Sequence, residues 1–201
     1  MNIYPALMAL AVFAPGDKDT SNFFTTPIPN SPVSGKLSGS EFLVTEAVME
    51  ADGKSAIQVG NMPPDSVRPY KLKLMDRSEG RTRCTLYVRI QVDWDRRLDG
   101  SKFVSKPFAE DSPEDRKQKE TDSKNPRFAR GITKVEVYSY PQNGGAAGPA
   151  TFRDKFSARI EFGKLKDGYL PGKIMIGLPD GSKSLVAGTF RAAYKVRHGD
   201  F

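Results

Sequence analysis

The chain has 201 residues, a net charge of +7 and a sequence pI near 9.4. That length buries a core without metal or disulfide support, and the single Cys84 excludes an intramolecular disulfide framework. With only one histidine, His198, beside the C-terminus, Cys-His or Ser-His catalysis and zinc sites built on His and Cys clusters have nothing to be assembled from.

In chain order, Ile3 to Phe13 is apolar apart from Pro5, too short to span a bilayer and without a positive residue before it. It reads either as an atypical or truncated export signal or as a segment that packs on or trails from the domain. Gly16 to Ser34, with Pro27, Pro29 and Pro32, predicts a linker or a poorly ordered arm, so residues 1–32 stand apart from a single domain over 33–196 and a tail over 197–201. Leu37, Phe42, Val44 and Val48 among Gly35, Gly39 and Ser40 predict strand segments broken by a bend. Asp52-Gly53 turns the chain into Ser55 to Val59, giving a hairpin. After a Pro-rich loop, Tyr70, Leu72 and Leu74 form a short strand.

Arg83 to Trp94 is the clearest strand of the first half. Its inward row is Cys84, Leu86, Val88, Ile90, Val92 and Trp94, and its outward row is Thr85, Tyr87, Arg89, Gln91 and Asp93. Cys84 is read as a small core side chain rather than a nucleophile. Residues 102–130 carry Pro107, Pro113 and Pro126 and almost no apolar residue between Glu110 and Lys124, which predicts a long, flexible, exposed insertion. Its eight positive and six negative charges argue against a nucleic-acid arm. Lys134 to Tyr140 resumes strand, and Pro141 to Ala150 is a flexible connector.

Three strands close the chain. Phe156, Ala158, Ile160 and Phe162 alternate with polar residues, as do Ile174, Ile176 and Leu178, and then Val186 through Phe190 to Val196. Asp167-Gly168 and Asp180-Gly181 each offer a positive-φ pair for a tight hairpin. About eight short strands with no amphipathic helix between them predict an all-β, antiparallel sandwich or barrel. We expect the antiparallel β-sandwich, jelly-roll or Ig-like, with one long charged insertion and with Trp94 and Phe190 buried.

From Thr151 onward ten Lys or Arg face five Asp or Glu, leaving only +2 for the first 150 residues. Arg153, Lys155, Arg159, Arg191, Lys195 and Arg197 alternate with apolar residues and predict a basic stripe, which meets phosphate, an acidic polysaccharide, anionic lipid or only water. Asp93 and Asp95 flank Trp94 and, with Glu41 or Glu161, could form a glycosidase pair; the plainer reading pairs them with Arg96 or Arg97. The Asp-Gly pairs lack the further oxygen ligands of a calcium loop, and no glycine-rich phosphate loop is present. No catalytic residue, metal ligand or cofactor is assigned.

The run Leu170-Pro-Gly-Lys-Ile-Met-Ile-Gly-Leu-Pro-Asp-Gly-Ser-Lys-Ser-Leu-Val-Ala-Gly-Thr-Phe190, with the opening Val33-Ser-Gly-Lys-Leu-Ser-Gly-Ser-Glu-Phe42, resembles an uncharacterised family of small bacterial β-domain proteins, often exported or lipid-anchored. Their closing phrase is of the type GKIYLCLPDEEKSxVAGTF; here Asp180-Gly181-Ser182 stands where that phrase has a pair of acidic residues. The resemblance covers both ends of the domain and a minority of the chain, and it carries no catalytic residue or known ligand. It implies a compact β domain and favours export to the periplasm or cell envelope. The expectation is a non-catalytic binding or structural module of the bacterial envelope, presenting Tyr87, Arg89, Gln91 and Asp93 to a glycan or an envelope protein. The alternatives are a carboxylate-dependent β-sandwich glycan hydrolase and a salt-sensitive binder of an acidic polymer through the stripe. Nucleic acid is disfavoured as a partner.

Overall fold

A computed structural model describes residues 21–51, 67–78, 80–93, 96–106, 113, 117, 130–140, 148–153 and 155–195. Among the described residues there are eleven strands: β1 (Ser34–Leu37), β2 (Ser40–Leu43), β3 (Glu46–Ala51), β4 (Val67–Ser78), β5 (Arg81–Asp93), β6 (Lys102–Ser105), β7 (Gly131–Ser139), β8 (Ala150–Phe152), β9 (Ser157–Phe162), β10 (Tyr169–Gly177) and β11 (Leu185–Tyr194), with alternating sequence becoming alternating burial most regularly along β4 and β9. One short helix, α1 (Ser21–Thr25), precedes them.

All eleven strands hydrogen-bond into one sheet. Nine follow the order β6-β9-β10-β11-β3-β4-β5-β7-β8, and β1 and β2 attach beside β11. The protein is all-β as expected, but it is not an eight-strand sandwich of two sheets. Its nine-strand path is a curled, open sheet, and Cα atoms of β6, at one end of the order, lie within 8 Å of β7 near the other. Strand length accounts for the difference. The 12-residue β4 and 13-residue β5 accumulate enough right-handed twist to coil, so the sheet bends until its own inner face covers itself.

The inward rows of β4, β5, β7, β9, β10 and β11 merge in one cluster. Leu72, Leu74, Leu86, Val88, Ile90, Val135, Ile160 and Ile174 are fully buried in it. Each such side chain contributes about 1.5–3 kcal/mol by leaving water. Phe162 stands edge-on between Phe103 and Phe190, with centroids at 6.1 and 6.0 Å. Gly172 lies opposite Phe190, where a Cβ would come within 2.4 Å of the ring. The missing side chain is therefore the space the ring occupies. Phe103 also corrects the expected insertion, because Lys102–Ser105 is not loop but strand β6, paired with β9.

The closing meander is present as β9, β10 and β11. Asp167 and Gly168 both have positive φ, 51° and 74°, and Lys166 and Tyr169 exchange backbone hydrogen bonds of 3.0 and 2.9 Å across them. The Asp180-Gly181 turn works differently. Here the positive φ falls on Lys183, at 50°, while the Asp180 carboxylate accepts from Ser184 N at 2.8 Å and Ser184 Oγ at 2.5 Å. The Asp180 carbonyl accepts from Lys183 N at 3.0 Å as well, so backbone and side chain of Asp180 shape that loop together. Tyr70, Leu72 and Leu74 belong to a strand of 12 residues rather than a short one.

Within the expected N-terminal linker, residues 22–32 pack on the outer face of β9 to β11. Ile28 is buried with Met175 and Ala187, and Phe23 and Leu185 close over them. Arg159 Nη1 donates to the carbonyls of Phe23 and Thr26 at 3.2 and 2.7 Å, Lys173 Nζ donates to Asn30 Oδ1 at 2.7 Å, and Thr189 N donates to Ser31 O at 2.7 Å. Ile3 to Phe13, the Asp52-Gly53 hairpin with Ser55 to Val59, Trp94, most of the insertion from Glu110 to Lys124, and Val196 to the tail lie outside the described residues.

Two substitutions test the register. Phe190→Ala opens a cavity under the aromatic row and costs about 3–5 kcal/mol in urea melts; a loss below about 1 kcal/mol would show the closing strand to be misregistered. Gly35 has φ 147°, and a Cβ there would meet Leu185 O at 2.1 Å. Gly35→Ala should cost about 2–5 kcal/mol in the same assay from backbone strain and overpacking together.

Candidate functional site

The row assigned from the sequence, Tyr87, Arg89, Gln91 and Asp93, lies on β5, and neighbouring β4 and β7 bring further aromatic and charged side chains beside it. Register puts Tyr87 of β5 between Lys73 of β4 and Glu136 of β7. Its ring meets Tyr138 edge-on, with centroids 5.0 Å apart and planes at 75°. Lys71 and Lys73 bring their ammonium groups to 5.8 and 5.7 Å from the Tyr87 centroid, a distance at which the ring quadrupole attracts a cation. Lys73 also pairs with Glu50 of β3 at 2.7 Å. Lys134 and Glu136 pair at 2.9 Å with side chains only 12% and 16% exposed. Burial, more than the neighbouring Tyr140, pushes the Tyr87 hydroxyl above its ordinary range, with Lys71 opposing. It therefore stays a hydrogen-bond donor at neutral pH.

The rest of the expected row is less uniform. Arg89 is half-buried, opposite Lys71 and Lys134, and Gln91 is buried, opposite Pro69 and Gly131. Asp93 is ion-paired with Arg130 at the strand end. All four residues share the outer face of β5 over about 20 Å, but Tyr87, with its lysines, is the part that faces water among aromatic neighbours. Tyr138, Lys71, Lys73, Glu50 and Glu136 were not assigned from the sequence.

The basic stripe does not assemble. Arg159 is engaged by the carbonyls of the N-terminal arm and lies 3.6 Å from Glu161. Arg191 stacks on Tyr169 at 3.6 Å from the ring centroid. Arg153 and Lys155 are exposed on the link from β8 to β9, strands far apart in the sheet order, and Lys195 is exposed just beyond β11. Alternation within a strand marks outward positions, yet the arm occupies Arg159 and the Tyr169 ring holds Arg191.

The carboxylates also stay apart. Glu161 lies between Lys102, at 3.5 Å, and Arg159. Glu41 is on β2, near the end of the sheet where Leu43 N donates to Asp76 and Asp76 faces Cys84. From Cys84 to Asp93 the strand runs about 30 Å, against the roughly 5–10 Å of a glycosidase pair. Trp94 and Asp95 lie outside the described residues. Among the described residues no group of three or more His, Cys, Asp or Glu could hold a metal ion.

Two polar clusters close the ends of the curl. At one, a bulge between Asp76 and Arg77 leaves Arg83 without a register partner on β4, and its guanidinium forks onto Asp76 at 2.7 and 2.9 Å from Nη2. The Asp76 side chain is only 2% exposed, so this pairing is what makes a buried carboxylate tolerable. Cys84 beside it packs against the core; burial foremost, with the Asp76 charge adding, pushes its thiol up against the lowering effect of a Ser139 hydrogen bond. It is a poor nucleophile. At the other end Tyr194 hydrogen-bonds Tyr70, and burial first, then Tyr70, holds the Tyr194 hydroxyl well above the ordinary phenol range.

The fold and these surfaces define an all-β protein built on one curled, open sheet, with no helix among the described residues long and apolar enough to cross a membrane. Comparison with protein-family models, curated proteins and solved structures gives no match to this chain.

The raised Tyr194 pKa has a definite sign. An acid whose folded pKa exceeds its unfolded value of about 10 contributes stability that is complete below pH 10 and is lost as pH rises towards the folded value. Thermal melts should fall more steeply above about pH 10 for the natural chain than for Tyr194→Phe. Parallel curves would remove Tyr194 as a cause of alkaline unfolding.

Proposed function

We propose that the protein is a non-catalytic binding module of the bacterial cell envelope and that the outer face around Tyr87 receives a glycan. The observation that carries this reading is the Tyr87–Tyr138 pair with Lys71 and Lys73 against it. An aromatic ring stacks on the apolar face of a sugar, while the Tyr87 hydroxyl and the half-buried Arg89 beside it offer hydrogen bonds to its hydroxyls. The two lysines favour a glycan bearing carboxylate or phosphate groups. Tyr87 and the lysines project from the two longest strands of the sheet and Tyr138 from β7 beside them, a paired platform that loses little backbone freedom on binding. The envelope assignment draws its support from the resemblance of the opening and closing phrases to often-exported proteins and from the apolar stretch Ile3 to Phe13. The hydrolase reading has less support, because the carboxylates it needs are dispersed.

Affinity electrophoresis against neutral and anionic soluble polysaccharides, with product analysis of the same mixtures, tests the proposal. Retardation without cleavage is expected, strongest on an anionic polymer. Tyr87→Ala should weaken it about ten-fold, a loss of about 1.4 kcal/mol. No retardation on any polymer, or equal retardation of the variant, would refute the glycan site.

A further inference from the structure

The five large apolar side chains most exposed among the described residues are Leu43, Val104, Tyr140, Leu165 and Tyr169. Two of them share one turn. Leu165, 44% exposed, and Tyr169, 37% exposed, flank the Asp167-Gly168 hairpin between β9 and β10. That hairpin lies at one end of the curled sheet. Gly100 N donates to Gly163 O at 3.0 Å, which brings the loop after β5 alongside, and Tyr194 N donates to Gly168 O at 2.9 Å, which brings the end of β11 there as well. Arg96, Arg97, Lys164, Lys166, Arg191 and Lys195 are all exposed on these segments, against the exposed carboxylates of Asp99 and Asp167. The opposite end differs, since Glu46 there pairs with Arg77 and Asp76 with Arg83.

We propose that this end of the sheet docks on an anionic lipid surface, with the β9–β10 hairpin entering the headgroup layer. A tyrosine places its ring at headgroup level and its hydroxyl in water, a leucine beside it reaches the acyl boundary, and lysines extend their ammonium groups back to lipid phosphates. Tyr169 is already stiffened for this by the Arg191 guanidinium stacked on its ring at 3.6 Å. A soluble polyanion would use the same cations but leave Leu165 in water, so an exposed apolar pair inside the basic cluster favours a bilayer. The docking end is distinct from the Tyr87 face, and neither proposal depends on the other.

The test is co-sedimentation of the full chain with vesicles of phosphatidylcholine alone or mixed with phosphatidylglycerol. Binding is expected only to the mixed vesicles and should weaken as salt is raised. Lys164→Glu with Lys166→Glu should lower the partition coefficient more than ten-fold, at about five-fold for each cation removed before counting the added repulsion. Leu165→Ser, which leaves the charge unchanged, should lower it about ten-fold. Arg81→Glu, at the opposite end, should bind as the natural chain does. Absence of binding to the mixed vesicles would overturn the proposal. So would full binding by Leu165→Ser, which would reassign the cluster to contact with polyanions through charge alone.

Discussion

The molecule depends on how one edge of β11 is shared. Along its first half that edge pairs with β1, through Ser34↔Ala187, Gly35↔Val186 and Lys36↔Leu185; at its end it pairs with β3, in parallel, only through Ala193↔Val48 and Tyr194↔Met49. Lys195 N extends the second contact by donating to Met49 O at 2.7 Å. Without this edge the chain would be two antiparallel fragments, one ending at β11 and one at β3, each exposing an apolar face that neither could cover alone. The β1–β2 hairpin fills the wedge where β11 and β4 diverge, with Val44 N donating to Val33 O and Thr45 N to Met75 O. Such close approach has a steric condition. At Gly35 and Gly188, both with strongly positive φ, a side chain would run into Leu185 O or Ser31 O.

This junction also brings together the opening and closing phrases picked out in the sequence. Val33 to Phe42 forms β1 and β2, and Leu170 to Phe190 forms most of β10 and β11, so the opening and closing phrases are adjacent in space. Ser184, held by Asp180, accepts from Ser38 N at 2.8 Å and ties the two turns together. These phrases therefore describe a joint rather than a ligand site, which is why neither their glycines nor their Asp180 points to chemistry.

Much of the strand content was legible because one buried face imposes a period of two, and β5 and the closing meander display it without interruption. What covers that face was not legible. Alternation reports that Leu86, Val88 and Ile90 point inward, but the same row would serve a second sheet or the far side of a curled one, and only long-range pairing distinguishes them. Lys102–Ser105 was lost to its polar surroundings, since a four-residue edge strand with Phe103 as its inward anchor barely alters local composition. The site shows the same limit. Tyr87 could be placed on an outward row, whereas its partners Lys71, Lys73 and Tyr138 depend on the registers of β4 and β7, one of which shifts at Asp76 and the other beside Arg89. The packing of the arm was hidden for a related reason: Pro27, Pro29 and Pro32 interrupt regular structure where they fall, but they do not prevent Ile28 from finding Met175 and Ala187.

The pairing of Gly35 with Val186 has a kinetic side, because those residues are 151 positions apart in the chain. Strands β3, β4, β5 and β7 can zip together from near neighbours as they are synthesised, but the edge of β3 that awaits β11 stays open until residues 185–194 arrive. Closure of the curl is then a late event dominated by long-range contacts, of the kind that makes β-rich chains slow to fold and exposes sticky edges on the way. A chain that postpones its last pairing in this manner carries an open edge through synthesis, and its yield of folded protein rests as much on protection of that waiting edge as on the stability of the finished sheet.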